Sequence, residues 1–316
     1  MGGMHEKLRH VLSDSGRKSL QASWTILIIM IPISFAMTIL QYTGALEYLS
    51  GFLSPVMRIF SLPAEASLVL IAGALINIYA GIAVMVPLGF DAWSITIIAT
   101  MMLICHNLVV ESAVQAKTGV SGLIMTLMRI VMAAFMGVVL SLILPESLKD
   151  TGMSVAHVVE RSGQGVAEAS LAWIGQTADL TVMVILIITG INLLIDTMRF
   201  FNAFAPVVSL LKPLTAVNGL PKNTTFMWMA GLVFGLAYGS GVLIAEARTG
   251  QVDQDALVRL NISLGISHSL IEDTLLFVAI GASLFWVLFP RIIAAALTVW
   301  GYMLARSFLE KIPVGR

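Results

Sequence analysis

Cysteine is nearly missing from this 316-residue chain, with Cys105 its only copy. A lone thiol rules out an internal disulfide and any thiolate metal cage. Charge is scarce too: Asp, Glu, Lys and Arg make up 11% of the residues and the formal net charge is zero, whereas soluble domains carry about 25% charged residues. There is no GxxxxGK[ST] run, so no P-loop is built into the chain, and neither GxSxG nor HExxH occurs. These gaps point away from a nucleotide hydrolase, a serine hydrolase and a zincin, and no enzymatic activity or cofactor is expected. What the chain does have is apolar length. Hydrophobic residues reach 58% and the mean hydropathy is +0.93. Long apolar runs cover 24–40, 66–90, 123–145, 180–195 and 283–304. About 20 apolar residues cross a hydrocarbon core. The chain reads as an all-α polytopic membrane protein in contact with membrane lipid. Nine of its 18 methionines sit in those runs, where packing accounts for them.

Two stretches of the sequence resemble each other. His106-Asn-Leu-Val-Val-Glu111 returns as His268-Ser-Leu-Ile-Glu-Asp273, at a constant offset of 162 residues. The same offset pairs Gly119 with Gly281, Ser121 with Ser283 and Arg129-Ile130 with Arg291-Ile292. Upstream, Ala72-Gly73 and Ala80-Gly81 match Ala230-Gly231 and Tyr238-Gly239 at an offset of 158. Matched histidines and matched arginines in an apolar background are far more telling than matched leucines. Each half then reads as an apolar helix (22–43 and 180–198), an amphipathic connector (45–61 and 200–217) and a Gly-interrupted segment (65–90 and 224–246). Two closing helices follow, at 93–116 with 121–144 and at 256–279 with 283–305. The expected organisation is a cytoplasmic amphipathic lead-in at 1–21, a first repeat at 22–145, a polar linker at 146–179, a second repeat at 180–306 and a cytoplasmic tail at 307–316. Lys7, Arg9, Arg17 and Lys18 precede a long first run without a small-residue cleavage site, which reads as an uncleaved helix rather than a signal peptide.

Lysine and arginine gather on the cytoplasmic side of membrane proteins. If the Gly-interrupted segments cross fully, the repeats are parallel and 11 of the 18 basic residues lie inside. If those segments are re-entrant hairpins, each half crosses three times, the halves are inverted, and 14 lie inside. The inverted arrangement is therefore expected, with both termini cytoplasmic in a bacterial inner membrane. Non-helical backbone at membrane depth is tolerated only where protein or a cavity covers it. Paired broken segments point to a transport site. The tips 77–81 and 235–241 offer Asn77, Tyr79, Tyr238 and Ser240 near freed backbone.

Ionisable groups at membrane depth cost about 2.5–3.5 kcal/mol on insertion scales, so His106, Glu111, His268, Glu272 and Asp273 should face the interior and have partners. His106 and Asn107 are expected to flank a helix break. His268 and Glu272 stand at i and i+4, on one helix face and within reach of each other. Arg129 and Arg291 are the expected partners of Glu111 and Asp273. Three readings fit the spacing: a substrate or proton-coupling site, a pair of structural His–acid–Arg clamps, or a metal site with His106, His268, Glu111 and Asp273 as N/O ligands.

The stretches 74–81, 104–112 and 266–274 resemble the nucleoside-recognition or Gate domain family. That family includes the membrane part of FeoB-type ferrous iron transporters, concentrative nucleoside transporters and bacterial spore-maturation proteins. The resemblance covers both copies and nearly the whole chain, and it implies an inverted pair of gates with re-entrant hairpins. This chain departs from the FeoB pattern in having no GTPase motif and no cysteine in a hairpin tip. It is also shorter than the nucleoside-transporter scaffold. The expected function is a secondary transporter or permease for a small polar or anionic solute, such as a nucleoside or related metabolite. The solute would bind Asn77, Tyr79, His106, Asn107, Glu111, Tyr238, Ser240, His268, Ser269, Glu272 and Asp273. A proton or sodium ion would couple transport, a homo-oligomer is compatible with this, and no nucleic-acid partner is expected. The alternatives are a membrane subunit that scaffolds a partner, a divalent-metal permease and an intramembrane enzyme.

Overall fold

The computed structural model describes residues 2–150 and 166–311, and among them it contains helices and no strand. In chain order these are α1 (Gly2–Thr43), α2 (Ala45–Gly51), α3 (Ser54–Arg58), α4 (Ala66–Leu75), α5 (Ile78–Met85), α6 (Ala92–Cys105), α7 (Leu108–Lys117) and α8 (Gly122–Ile143). After α9 (Ser147–Asp150) come α10 (Val166–Phe200), α11 (Phe204–Val217), α12 (Thr225–Arg248), α13 (Gln254–Ser267), α14 (Glu272–Ala279) and α15 (Leu284–Lys311). Six stretches of the described residues are long and apolar enough to cross a membrane: Ser13–Leu40, Ala92–Lys117, Gly122–Ile143, Ser170–Met198, Gln254–Ala279 and Leu284–Glu310. Three fall in each half.

Several element boundaries differ from those expected. The lead-in at 1–21 is not separate, because α1 runs unbroken from Gly2 to Thr43. No proline or helix-stopping cluster stands between Arg17 and Trp24. The first connector breaks into α2 and α3, where Pro55 opens the second piece; proline is favoured there because its missing N–H is not needed in a first turn. The helix expected at 180–198 starts earlier, at Val166, inside the expected linker. Linker residues 151–165 and tail residues 312–316 lie outside the described set.

The six spans form two classes by burial. Over its most apolar 18 residues, Ala92–Lys117 is 83% buried and Gln254–Ala279 67%, while the same measure for the other four lies between 24% and 33%. Every residue of α6 is buried. The four outer spans turn large apolar side chains outward, among them Leu123, Leu142, Leu186 and Leu297. Such a surface is stable against hydrocarbon, where no water penalises it. The inner spans carry His106, Glu111, His268 and Asp273, and the outer spans α8 and α15 each bury one arginine, Arg129 and Arg291.

Matching spans of the two halves run antiparallel. In the outer pair, Ser15 and Lys18 near the start of α1 reach Asp196 near the end of α10, and Asn192 reaches Ser19. Farther along, Trp173 near the start of α10 donates to Ser34 of α1. In the inner pair, Gln254 at the start of α13 donates to the Gly119 carbonyl just beyond α7. Asn261 and Gln115 meet midway, and the Ser283 amide beyond α14 donates to Thr96 in α6.

The Gly-interrupted segments double back. A Cβ on Gly81 would stand 3.3 Å from the Gly73 Cα, so α4 and α5 touch backbone to backbone. Asn77 is the turn: its backbone is extended and its side chain accepts from the Ala80 amide, capping α5. In the second half the turn is Gly235, at φ 70°, within α12. A Cβ on Gly239 would stand 3.2 Å from the Ala230 carbonyl oxygen, the same close approach. Glycine supplies both the left-handed backbone and the contact.

Candidate functional site

Each inner span is interrupted at its histidine. Helix α6 ends at Cys105, His106 is extended, and Asn107 takes left-handed backbone at φ 48° before α7 begins. Helix α13 ends at Ser267, His268 is extended, and Ser269 takes φ 49°. The amides freed by these breaks bond to the hairpins: Asn107 donates to the Gly73 carbonyl at 2.9 Å and Ser269 to the Gly231 carbonyl at 3.1 Å. The freed carbonyls are taken by the buried arginines. Arg129 donates through Nε to Ile104 O and through Nη2 to His106 O, both at 2.7 Å. Arg291 repeats this with Ile266 O at 3.2 Å and His268 O at 2.7 Å. A helix C-terminus leaves carbonyls unsatisfied and carries partial negative charge, so a guanidinium is well suited to close it.

The breaks bring the two imidazoles together, ring centres 4.9 Å apart and planes tilted by 36°. His106 Nδ1 lies 3.1 Å from the Met102 carbonyl and His268 Nδ1 2.8 Å from the Leu264 carbonyl. A carbonyl can only accept, so both Nδ1 atoms carry protons and both Nε2 atoms turn inward. His106 Nε2 lies 3.4 Å from Glu111 Oε1 and 3.5 Å from Asp273 Oδ2. His268 Nε2 lies 3.2 Å from Glu111 Oε2, which also accepts from Arg129 Nη2 at 2.6 Å. All four site groups are buried. His268 Nε2 makes no hydrogen bond despite that burial.

A cavity of about 200 Å³ opens between the halves. Asn77, Tyr79, His106, Asn107, Glu111, His268, Ser269, Glu272 and Asp273 all line it. Nine of the eleven residues expected at the site are thus brought together. Ser240 is not in the lining, because the second hairpin turns at Gly235, more than a helical turn earlier. The side chain of Tyr238 lies outside the described residues. Two expected contacts are not made. His268 and Glu272 do not share a helix face, since the chain breaks between them; Glu272 instead accepts from the Tyr79 hydroxyl of the other half at 2.9 Å. Asp273 is within ion-pair distance of His106 rather than Arg291. Sequence reasoning missed Thr25, Ile26 and Ile29 of α1 on the cavity wall. An apolar stretch of a long helix carries no signal that would have found them.

No protein-family model matches the chain, and no solved structure matches it. One curated relative is the uncharacterized membrane protein YvoD of Bacillus subtilis (strain 168), which is 30% identical over 284 residues, 88% of this chain and 89% of that one. At that identity and coverage, with six spans and a site held between two of them, the chain belongs to the family of membrane proteins that includes YvoD.

Proposed function

We propose that the chain is a secondary transporter of the bacterial inner membrane, rather than an enzyme, and that a small polar solute binds in the cavity between the halves. The observation that carries this reading is the cavity itself, formed where two interrupted spans and two hairpin turns meet. Broken backbone at membrane depth is stable only beside a cavity or covered by protein, and transporter sites are built this way at repeat interfaces. The antiparallel run of matching spans supports inverted repeats, as does the resemblance to Gate domains.

Size and charge narrow the solute. Drug-sized ligands occupy about 300–1,000 Å³, so 200 Å³ suits a molecule nearer a nucleobase than a nucleoside. The lining holds three carboxylates and two imidazoles but neither arginine. It therefore favours a neutral polar or cationic solute over the anionic one also expected from sequence.

A thermal-shift screen of the detergent-purified protein with nucleobases, nucleosides and small amines tests this, followed by counterflow in liposomes. A ligand at 100 times its Kd stabilises by about 2.7 kcal/mol. One class should stabilise the wild type, show saturable flux, and lose both effects in His106→Ala. Silence in both assays would sink the transport reading and favour a scaffolding subunit.

A further inference from the structure

We infer that His106, His268 and Glu111 bind one divalent transition-metal ion through two imidazole nitrogens and one carboxylate, with a fourth coordination position left open. The inference deepens the transport reading, on which it rests for the route by which an ion reaches a buried site.

Three observations carry it. The first is spacing. Metal–nitrogen and metal–oxygen bonds of about 2.0–2.2 Å in a tetrahedron put ligand atoms roughly 3.3–3.6 Å apart. Here Nε2 of His106 lies 3.4 Å from one oxygen of Glu111 and Nε2 of His268 lies 3.2 Å from the other. Ligand atoms of His106, Glu111 and His268 all fall within 4.8 Å of one another.

The second is what stands behind the ligands. Metal-binding histidines hold their other nitrogen in a hydrogen bond that fixes the tautomer, and ligating carboxylates are themselves hydrogen-bonded. Both histidines give Nδ1–H to a backbone carbonyl, and Arg129 holds Glu111. With Nδ1 so held, Nε2 is the ligand atom that each imidazole turns inward, toward carboxylate oxygens.

The third is the unmet demand. His268 is fully buried and its Nε2 has no hydrogen-bond partner. A buried polar atom without a partner is costly, and one cation among these three groups would engage it. Imidazole with carboxylate suits zinc and neighbouring divalent metals; calcium and magnesium prefer all-oxygen shells. The ion uses three of the cavity's groups and leaves Asn77, Tyr79, Asn107, Glu272 and Asp273 to the solute.

The test is titration of the purified, metal-stripped protein with Co²⁺, read by visible ligand-field absorption and followed by Zn²⁺ displacement. One cobalt per chain in a four-coordinate spectrum, displaced by zinc, is the expected result. Affinity should fall at least tenfold in His106→Ala and in His268→Ala, since disturbing even a supporting contact costs about 10–100-fold. His268→Gln removes a ligand nitrogen while keeping much of the side chain's volume and should alter the spectrum while melting like the wild type, which guards against a variant that fails to fold. No cobalt spectrum, or one unchanged in His268→Gln and both alanine variants, overturns the inference. Solute flux measured with a chelator present separates the two readings. Flux without cobalt binding removes the metal and keeps the transporter, whereas cobalt binding without flux of any solute does the reverse.

Discussion

Arg129 and Arg291 are both fully buried in the middle of a membrane protein, and each closes the carbonyl end of an interrupted helix. Their surroundings then diverge. Arg129 also pairs with Glu111, while Arg291 reaches Thr274 and, across the halves, the Leu103 carbonyl. Removing one member of a buried ion pair costs about 3–5 kcal/mol, because the other charge is stranded. Arg129→Met should therefore lower the melting temperature more than Arg291→Met, which strands carbonyls but no carboxylate within ion-pair distance among the described residues. Equal losses in thermal melts of the two variants would mean that Glu111 finds another partner. The sequence offset paired these arginines correctly and placed Arg129 beside Glu111. It could not place Arg291, because nothing in the spacing says that Asp273 lies with His106 of the other half.

Helix ends show the same mixture. Asp91 caps α6 by accepting from the Ser94 amide at 2.6 Å, and Asp253 caps α13 by accepting from Ala256 at 2.8 Å. These aspartates share the 162-residue offset of the histidines, a signal present in the sequence and overlooked in its reading. Replacing a capping Asp by Ala costs about 1 kcal/mol. Asp91→Ala and Asp253→Ala should each destabilise by that amount, and the double variant by about twice as much, since distant sites without shared partners add. Denaturant titration of the three variants checks both magnitude and additivity. The break at His106 was legible because histidine and asparagine are poor helix formers side by side in an apolar run. The break at His268 was not, because His-Ser-Leu-Ile-Glu reads equally well as one turn of helix, and only the pull of Arg291 and the Gly231 carbonyl opens it.

The arrangement of the halves bears on how the molecule sits in the bilayer. The inverted arrangement proposed above puts Lys149 on one side and Lys212 on the other. On that proposal the charge rule predicts the basic stretch 199–222 inside and Lys149 outside. The native thiol, Cys105, is buried and gives a quiet background. An impermeant maleimide should label Lys149→Cys on intact cells and reach Lys212→Cys only after permeabilisation. The opposite pattern would mean parallel halves and full crossings by the hairpins.

Composition was enough to establish a helical membrane protein, because apolar run length is a local property of the chain, and the constant offset pointed to two similar units. Together they were also enough to gather nine site residues, since intramembrane polar groups must face inward whatever the packing. Which of those residues touch depended on the antiparallel crossing of the inner spans. That crossing sets His106 against His268, Tyr79 against Glu272 and Asp273 against His106, and each of these contacts joins residues more than 160 positions apart. No spacing rule reaches that far. The pairing arises from two helices breaking at equivalent points and meeting at the break.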